Sequence, residues 1–173
     1  MQFLSVYIPL FILLTFTPMV SAESIDDQLI HAANSLLHNK AKQTAIELNA
    51  DQFQIRTRPL PEHTKTPPCK TPIEMKDFST APYGEQLLQA VCKDQWRLLV
   101  KARILIYRPV IVSSRNIMAI RPLNEHDIEW QSRDISILQQ GYLTKPQQVL
   151  GKVPRSEIKA GTPLNPSLFH DGT

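Results

Sequence analysis

Two periodicities divide the chain. Ile25, Leu29, Ala33, Leu36 and Leu37 recur at spacings of three and four, which predicts one amphipathic helix. Ser24 stands at the N-cap position, and Asp26 and Asp27 fall in the first turn, where the helix dipole favours carboxylates. The helix is expected to end between His38 and Lys42, and then the period drops to two. Ile46 and Leu48, then Phe53 and Ile55, alternate with polar residues on either side of Asn49-Ala50-Asp51, predicting two short strands or one strand with a bulge. Pro59, Pro61, Pro67, Pro68 and Pro72 make residues 58–72 an extended connection, because proline neither continues a helix nor donates to a sheet ladder. The clearest strand follows. Trp96, Leu98, Val100, Ala102, Ile104 and Ile106 fall on one face while Arg97, Lys101 and Arg103 fall on the other, the alternation of a half-buried antiparallel strand. The basic face is expected to be its solvated side, the alternative being an anionic ligand. Arg108-Pro109 interrupts the pattern, Val110 to Val112 begins another short strand, and a boundary between two small domains is expected near residues 107–110. From Val110 to Phe169, short apolar runs alternate with turn signals at Asn124, Asp134, Gly141, Pro146, Gly151 and Gly161. That pattern predicts a compact all-β module.

The first 22 residues are of another kind. Met1 to Ala22 contains no charged side chain, and Tyr7 to Phe16 is almost wholly apolar. Pro9 interrupts the apolar run, Pro18 closes it, and Val20-Ser21-Ala22 supplies small residues before Glu23. This is the pattern of a secretory signal cut between Ala22 and Glu23. An uncut anchor would want roughly 18 or more unbroken apolar residues. Export carries Cys69 and Cys92 into an oxidising compartment, which predicts that they pair. The loop closed would hold about 24 residues and stabilise by roughly 3 kcal/mol in the chain-entropy model. Two unrelated buried thiols are the alternative, and a metal site would lack histidines to complete a tetrahedral shell.

Charge narrows the partners. Nineteen Lys and Arg against sixteen Asp and Glu give a net charge of +3, without the clustering that counterion release on nucleic acid requires. Fourteen prolines against five glycines suit extended segments rather than long helices. Catalytic patterns are missing: the sequence has no His-Glu-x-x-His run, no Gly-x-Ser-x-Gly elbow and no Gly-rich phosphate loop. His31 and His38 lie seven apart on the predicted helix with no carboxylate or thiol at matching spacing, and read as surface histidines. His63 falls in the proline-rich connection and His170 in the tail. His126 sits in Glu125-His126-Asp127, where Asp127 is expected to cap a turn. Nothing assembles a nucleophile, a base and an oxyanion donor, so a non-enzyme without metal or cofactor is expected.

In the second module, Val110-Ile111-Val112, Arg115-Asn116-Ile117, Leu123, Asp127-Ile128, Gly141-Tyr142-Leu143-Thr144, Leu150-Gly151-Lys152-Val153 and Ala160-Gly161-Thr162-Pro163-Leu164 follow one another at spacings that resemble the SAF module, a β-clip unit. A signal segment, a short helix, a Cys-to-Cys loop, and Cys92 followed four residues later by Trp96 are similar to the flagellar P-ring assembly chaperone family. The resemblance implies a mainly β protein with one N-terminal helix. Its parts would be a signal at 1–22, a disulfide-tied domain at 23–108, a SAF-like β-clip domain at 109–169 and a tail at 170–173. It further implies a periplasmic location, the P-ring subunit as protein partner and no turnover, and it assigns no client-binding residue of this chain. Ala119-Ile120-Arg121-Pro122 stands where the family has a glycine turn, so that turn must be built differently, around Arg121-Pro122. Further strands follow Pro163-Leu164 in the family, whereas this sequence stops at Thr173; a C-terminally truncated or variant member, its β-clip domain incomplete, with unpaired edges and uncovered apolar faces, is therefore expected, unless a second polypeptide supplies the strands. Two other functions compete: a SAF module binding peptidoglycan or sialylated glycan, and a pilus assembly component. A glycan site would want an aromatic platform, for which Tyr107, Trp130 and Tyr142 are the candidates, each expected in core or turn packing.

Overall fold

The computed structural model describes residues 23–62 and 64–170; the expected cleavage site at Ala22, His63 and the last three residues lie outside them. One helix packs on a five-stranded antiparallel sheet, and a second apolar cluster lies beyond it.

The helix α1 spans Ile25–Glu47, longer than the expected stretch. The Ser24 side chain caps it by accepting from the Asp27 N–H. Leu29, Ala33 and Leu37 are buried, and so are Ala41, Thr44 and Ala45, which continue the same stripe for two more turns. Ile46 and Leu48 are therefore not strand residues. The helix stops at Asn49, whose φ of 48° is left-handed. The Ala50 N–H donates to the Ala45 carbonyl (2.8 Å) and the Asn49 N–H to that of Ile46 (3.1 Å), the paired bonds of a Schellman motif with asparagine in the glycine position.

The strands are β1 (Gln52–Thr57), β2 (Glu74–Asp77), β3 (Gly84–Cys92), β4 (Trp96–Ser113) and β5 (Ile128–Asp134). Their order is β1-β4-β3-β2, with β5 also on β4. Registers such as Ile55↔Ile104, Leu88↔Val100 and Met75↔Ala90 place apolar side chains toward α1. β4 runs 18 residues without a break at Arg108-Pro109, which corrects the expected interruption. The reason is which way each residue's backbone points. Lys101 accepts from the Arg58 N–H and Ile111 donates to the Leu143 carbonyl, so odd-numbered residues of β4 face the β1 side of the ladder. β1 has already begun at Gln52, opposite Tyr107. The N–H that Pro109 lacks therefore points into a gap between two partners, where no ladder bond is lost.

β4 serves two cores. Its even-numbered Val100, Ala102, Ile104, Ile106, Val110 and Val112 join the cluster built on Leu29, Ala33, Leu37 and Leu88. Ile111, on the opposite face, joins Ile117, Leu123, Leu143, Val149, Ile158, Leu164 and Phe169. The second cluster is held by isolated bridges (Val112↔Pro163, Ile117↔Ile158, Pro154↔Phe169) and short turns rather than by the many strands expected. Gly161, at φ 76°, turns the chain so that its N–H meets the Ser113 carbonyl at 2.7 Å. The cluster is closed at its C-terminal end by Phe169, which is buried; its carbonyl accepts from Arg155 at 2.7 Å. The expected uncovered faces reduce in this module to exposed side chains such as Met118 and Ile120.

Candidate partner-binding face

Cys69 and Cys92 form a disulfide with Cα atoms 5.8 Å apart, and both residues are buried. It fastens the proline-rich connection to the end of β3, beside the tight turn to Trp96. The connection is tied down twice more. The Gln28 side chain accepts from the Cys69 N–H (2.7 Å) and donates to its carbonyl (3.1 Å), and Trp96 Nε1 donates to Pro67 (3.1 Å). A groove of about 520 Å³ lies between α1 and residues 69–75, with His31 on its wall. His38 is exposed, as expected, and its ring also meets Phe53 edge-on at 5.5 Å.

Lys40 makes a part-buried polar contact between helix and sheet. Its Nζ donates to Asp77 (2.8 Å) and to Gln86 Oε1 (2.7 Å), and Gln86 is buried. Burial alone would raise the Asp77 carboxyl, but hydrogen bonds from Lys40 and Ser79 outweigh it and hold the group below its ordinary range.

The second module has a clasp that sequence reasoning found only in part. Asp127 does cap its turn, accepting from the Asn124 N–H at 2.9 Å. Its carboxylate, fully buried, also takes a two-pronged grip from Arg121 (2.7 Å on each oxygen) and a bond from Arg115 Nε (2.8 Å). Arg121 lies in the Ala119-Ile120-Arg121-Pro122 turn, so this clasp anchors that turn. The Arg121 guanidinium holds Asp127 far below the usual carboxylate range; burial opposes it, and Asn124 and Arg115 add to it.

The face of the sheet turned away from α1 is open. Its grid follows from the registers. Phe78, Leu87, Lys101 and Arg58 lie in one row; Lys76, Gln89 and Leu99 in the next; Glu85, Arg103 and Arg56 in the row on the other side; Glu74, Val91 and Arg97 at the end. Leu87 (40 % exposed) thus sits beside Phe78 (57 %) and diagonal to Leu99 (65 %). Arg56, Arg58, Lys101, Arg103 and Leu105, together with Tyr107, Asp134 and Ile137 from the second module's side, line a trough of about 530 Å³. A smaller hollow of about 270 Å³, between Pro59-Leu60-Pro61 and Leu99, continues it. The expected solvated basic face is present, but with an apolar triangle beside it that strict alternation in β4 alone did not reveal.

Of the aromatic candidates, Tyr107 lines this trough, and Tyr142 packs beneath the Arg108 guanidinium at 5.5 Å. Trp130, 51 % exposed on β5, is not in core or turn packing as expected. The three rings form no shared platform. Among the described residues, no group of His, Cys, Asp or Glu is arranged to hold a metal, and no helix is long and apolar enough to cross a membrane.

Residues 108–169 match the family model of the SAF domain. No curated protein sequence matches the chain. The fold as a whole is that of FlgA. The Salmonella protein in its open form superposes with a TM-score of 0.54 at 13 % identity, covering 82 % of this chain and 65 % of that one. Its closed form gives 0.51 at 12 % identity, covering 80 % and 69 %. The chain therefore spans about two thirds of the length of the Salmonella protein.

Proposed function

We propose that this protein is a periplasmic chaperone that assists assembly of the flagellar P-ring by binding the ring's subunit after export. The observation that carries the reading is the joint one: a disulfide-tied helix-and-sheet module followed by a SAF domain, on the fold of FlgA. Residues 1–22 then act as a signal removed between Ala22 and Glu23, and residues 23–108 and 109–169 as the two working modules. Binding without turnover suits a molecule whose most accessible feature is a broad, mixed apolar and cationic face. Of the three aromatic candidates for a glycan-binding reading, only Trp130 is exposed, and it needs a second ring beside it; Tyr142 is already engaged by Arg108.

The test is association of the purified mature protein with the P-ring subunit of the same organism under oxidising conditions. A complex retained on a column supports the reading. Complete absence of association, with both proteins folded, ends it.

A further inference from the structure

The open sheet face carries six cations, Arg56, Arg58, Lys76, Arg97, Lys101 and Arg103, against the carboxylates Glu74 and Glu85. Of these six, Arg103 is the one in an ion pair among the described residues, with Glu85 at 3.3 Å. Among the described residues, Arg56, Arg58, Arg97 and Lys101 have no carboxylate within ion-pair distance, and Arg56 turns only to the Gln54 amide. Outside this face, Lys40 pairs with Asp77, and Arg115 and Arg121 with Asp127. Beside the unpaired cations lies the triangle of Phe78, Leu87 and Leu99, which water covers at a cost that burial against a partner would recover.

We propose that this face is the docking surface for an acidic, apolar-rich extended segment of a protein partner. The proposal rests on the chaperone reading for the partner's identity, but not for its chemistry. Apolar side chains of the segment would lie over Phe78, Leu87 and Leu99. Its carboxylates would lie over Lys101, Arg58, Arg103 and Arg56, one row away. A strand alternates its side chains with a period of two, and adjacent rows of the face alternate in the same way, so an extended segment can meet both sets. A phosphate or sulfate polymer would satisfy the cations and leave the triangle wet, so a polypeptide fits better than a polyanion.

Three proteins test this: the intact mature chain, a charge variant (Arg58→Glu with Lys101→Glu) and an apolar variant (Leu87→Ser with Leu99→Ser). All four positions are exposed, so folding is checked by thermal melting before use. Two probes are titrated: the P-ring subunit, and a synthetic peptide alternating glutamate with valine, compared with its glutamine counterpart. The proposal expects roughly tenfold weaker binding of either probe by each variant. It also expects binding by the intact chain to weaken with added salt, and binding by the charge variant to lose most of that dependence. The glutamate peptide should shift the backbone resonances of residues 78, 87, 99 and 101. If the subunit binds the intact chain and both variants equally, the face is not the site, although the chaperone reading stands. If the subunit does not bind but the glutamate peptide does, through these residues, the face stands and the chaperone reading falls. If the glutamine peptide binds as well as the glutamate one, or if heparin alone occupies the face, the proposal is overturned.

Discussion

Replacing Asp127 with asparagine keeps the size of the side chain and removes its charge. The carboxylate is fully buried, and it receives Arg121 on both oxygens at 2.7 Å, Arg115 Nε at 2.8 Å and the Asn124 N–H at 2.9 Å. Removing one partner of a buried ion pair costs about 3–5 kcal/mol when the other charge stays enclosed. Here Arg115 and Arg121 are half exposed, so water can take them back, and the asparagine oxygen keeps one or two of the bonds. The expected loss at neutral pH is therefore smaller, about 2–3 kcal/mol. For a chain of this length that is a fall of roughly 5–10 °C in melting temperature. The pH dependence gives a sharper check. Asp127 is depressed in the folded protein, so the unfolded chain takes up the proton first as the pH falls. Its contribution is complete well above the unfolded value of about 3.9 and drains away as the pH drops below that toward the folded value. Melting followed by circular dichroism at pH 7, 4 and 3 should show the gap between wild type and Asp127→Asn narrowing at pH 3. A gap that is the same at pH 3 as at pH 7 would show that lost shape, not lost charge, is the cause.

Three further outcomes are expected. Changing Cys69 and Cys92 to serine should destabilise the protein by roughly 3 kcal/mol and raise protease cleavage within residues 58–72, measured by denaturant unfolding and limited digestion. Pro109→Ala should alter stability by no more than about 1 kcal/mol, since no ladder bond is at stake, whereas Val110→Pro, one residue on, should cost about 3 kcal/mol or more in the same denaturant series. Lys40→Met should cost about 2 kcal/mol by leaving Gln86 Oε1 and Asp77 without their shared donor, and hydrogen exchange should report the loosening along α1 and residues 77–86.

Local patterns carried much of the fold. The N-cap at Ser24, the apolar stripe from Leu29 to Leu37 and the alternation from Trp96 to Ile106 were legible because each is a periodic signal contained in one element. The misreadings sit where a second element decides. Ile46 and Leu48 fit a period of two as well as the end of a helix; Asn49, in a left-handed conformation, settles the matter in favour of the helix. Pro109 looked like a strand break because its neighbours across the ladder, β1 and Leu143, are distant in sequence. The clasp at Asp127 was visible only as a turn cap, since nothing along the chain says that Arg115 and Arg121 converge on the same carboxylate. The apolar triangle was hidden for the same reason: Phe78, Leu87 and Leu99 come from three segments and meet only through their registers.

The way β4 divides its two faces ties the proposed docking surface to the second module. Odd-numbered residues point away from α1 along the whole strand, but their surroundings change along it. Leu99 and Lys101 lie open to solvent, Leu105 is covered, Tyr107 lines the trough with Asp134 and Ile137, and Ile111 is fully within the second core. The open face therefore ends at a wall built from the second module rather than at a free sheet border. A segment laid along β4 from the Arg97 end would run into that wall at Ile137, so its grip would depend on both modules at once. Because the strand joining them stays paired with β5 through Pro109, a change in how the modules meet would bend β4 itself, near Pro109, where its β1-side ladder is vacant.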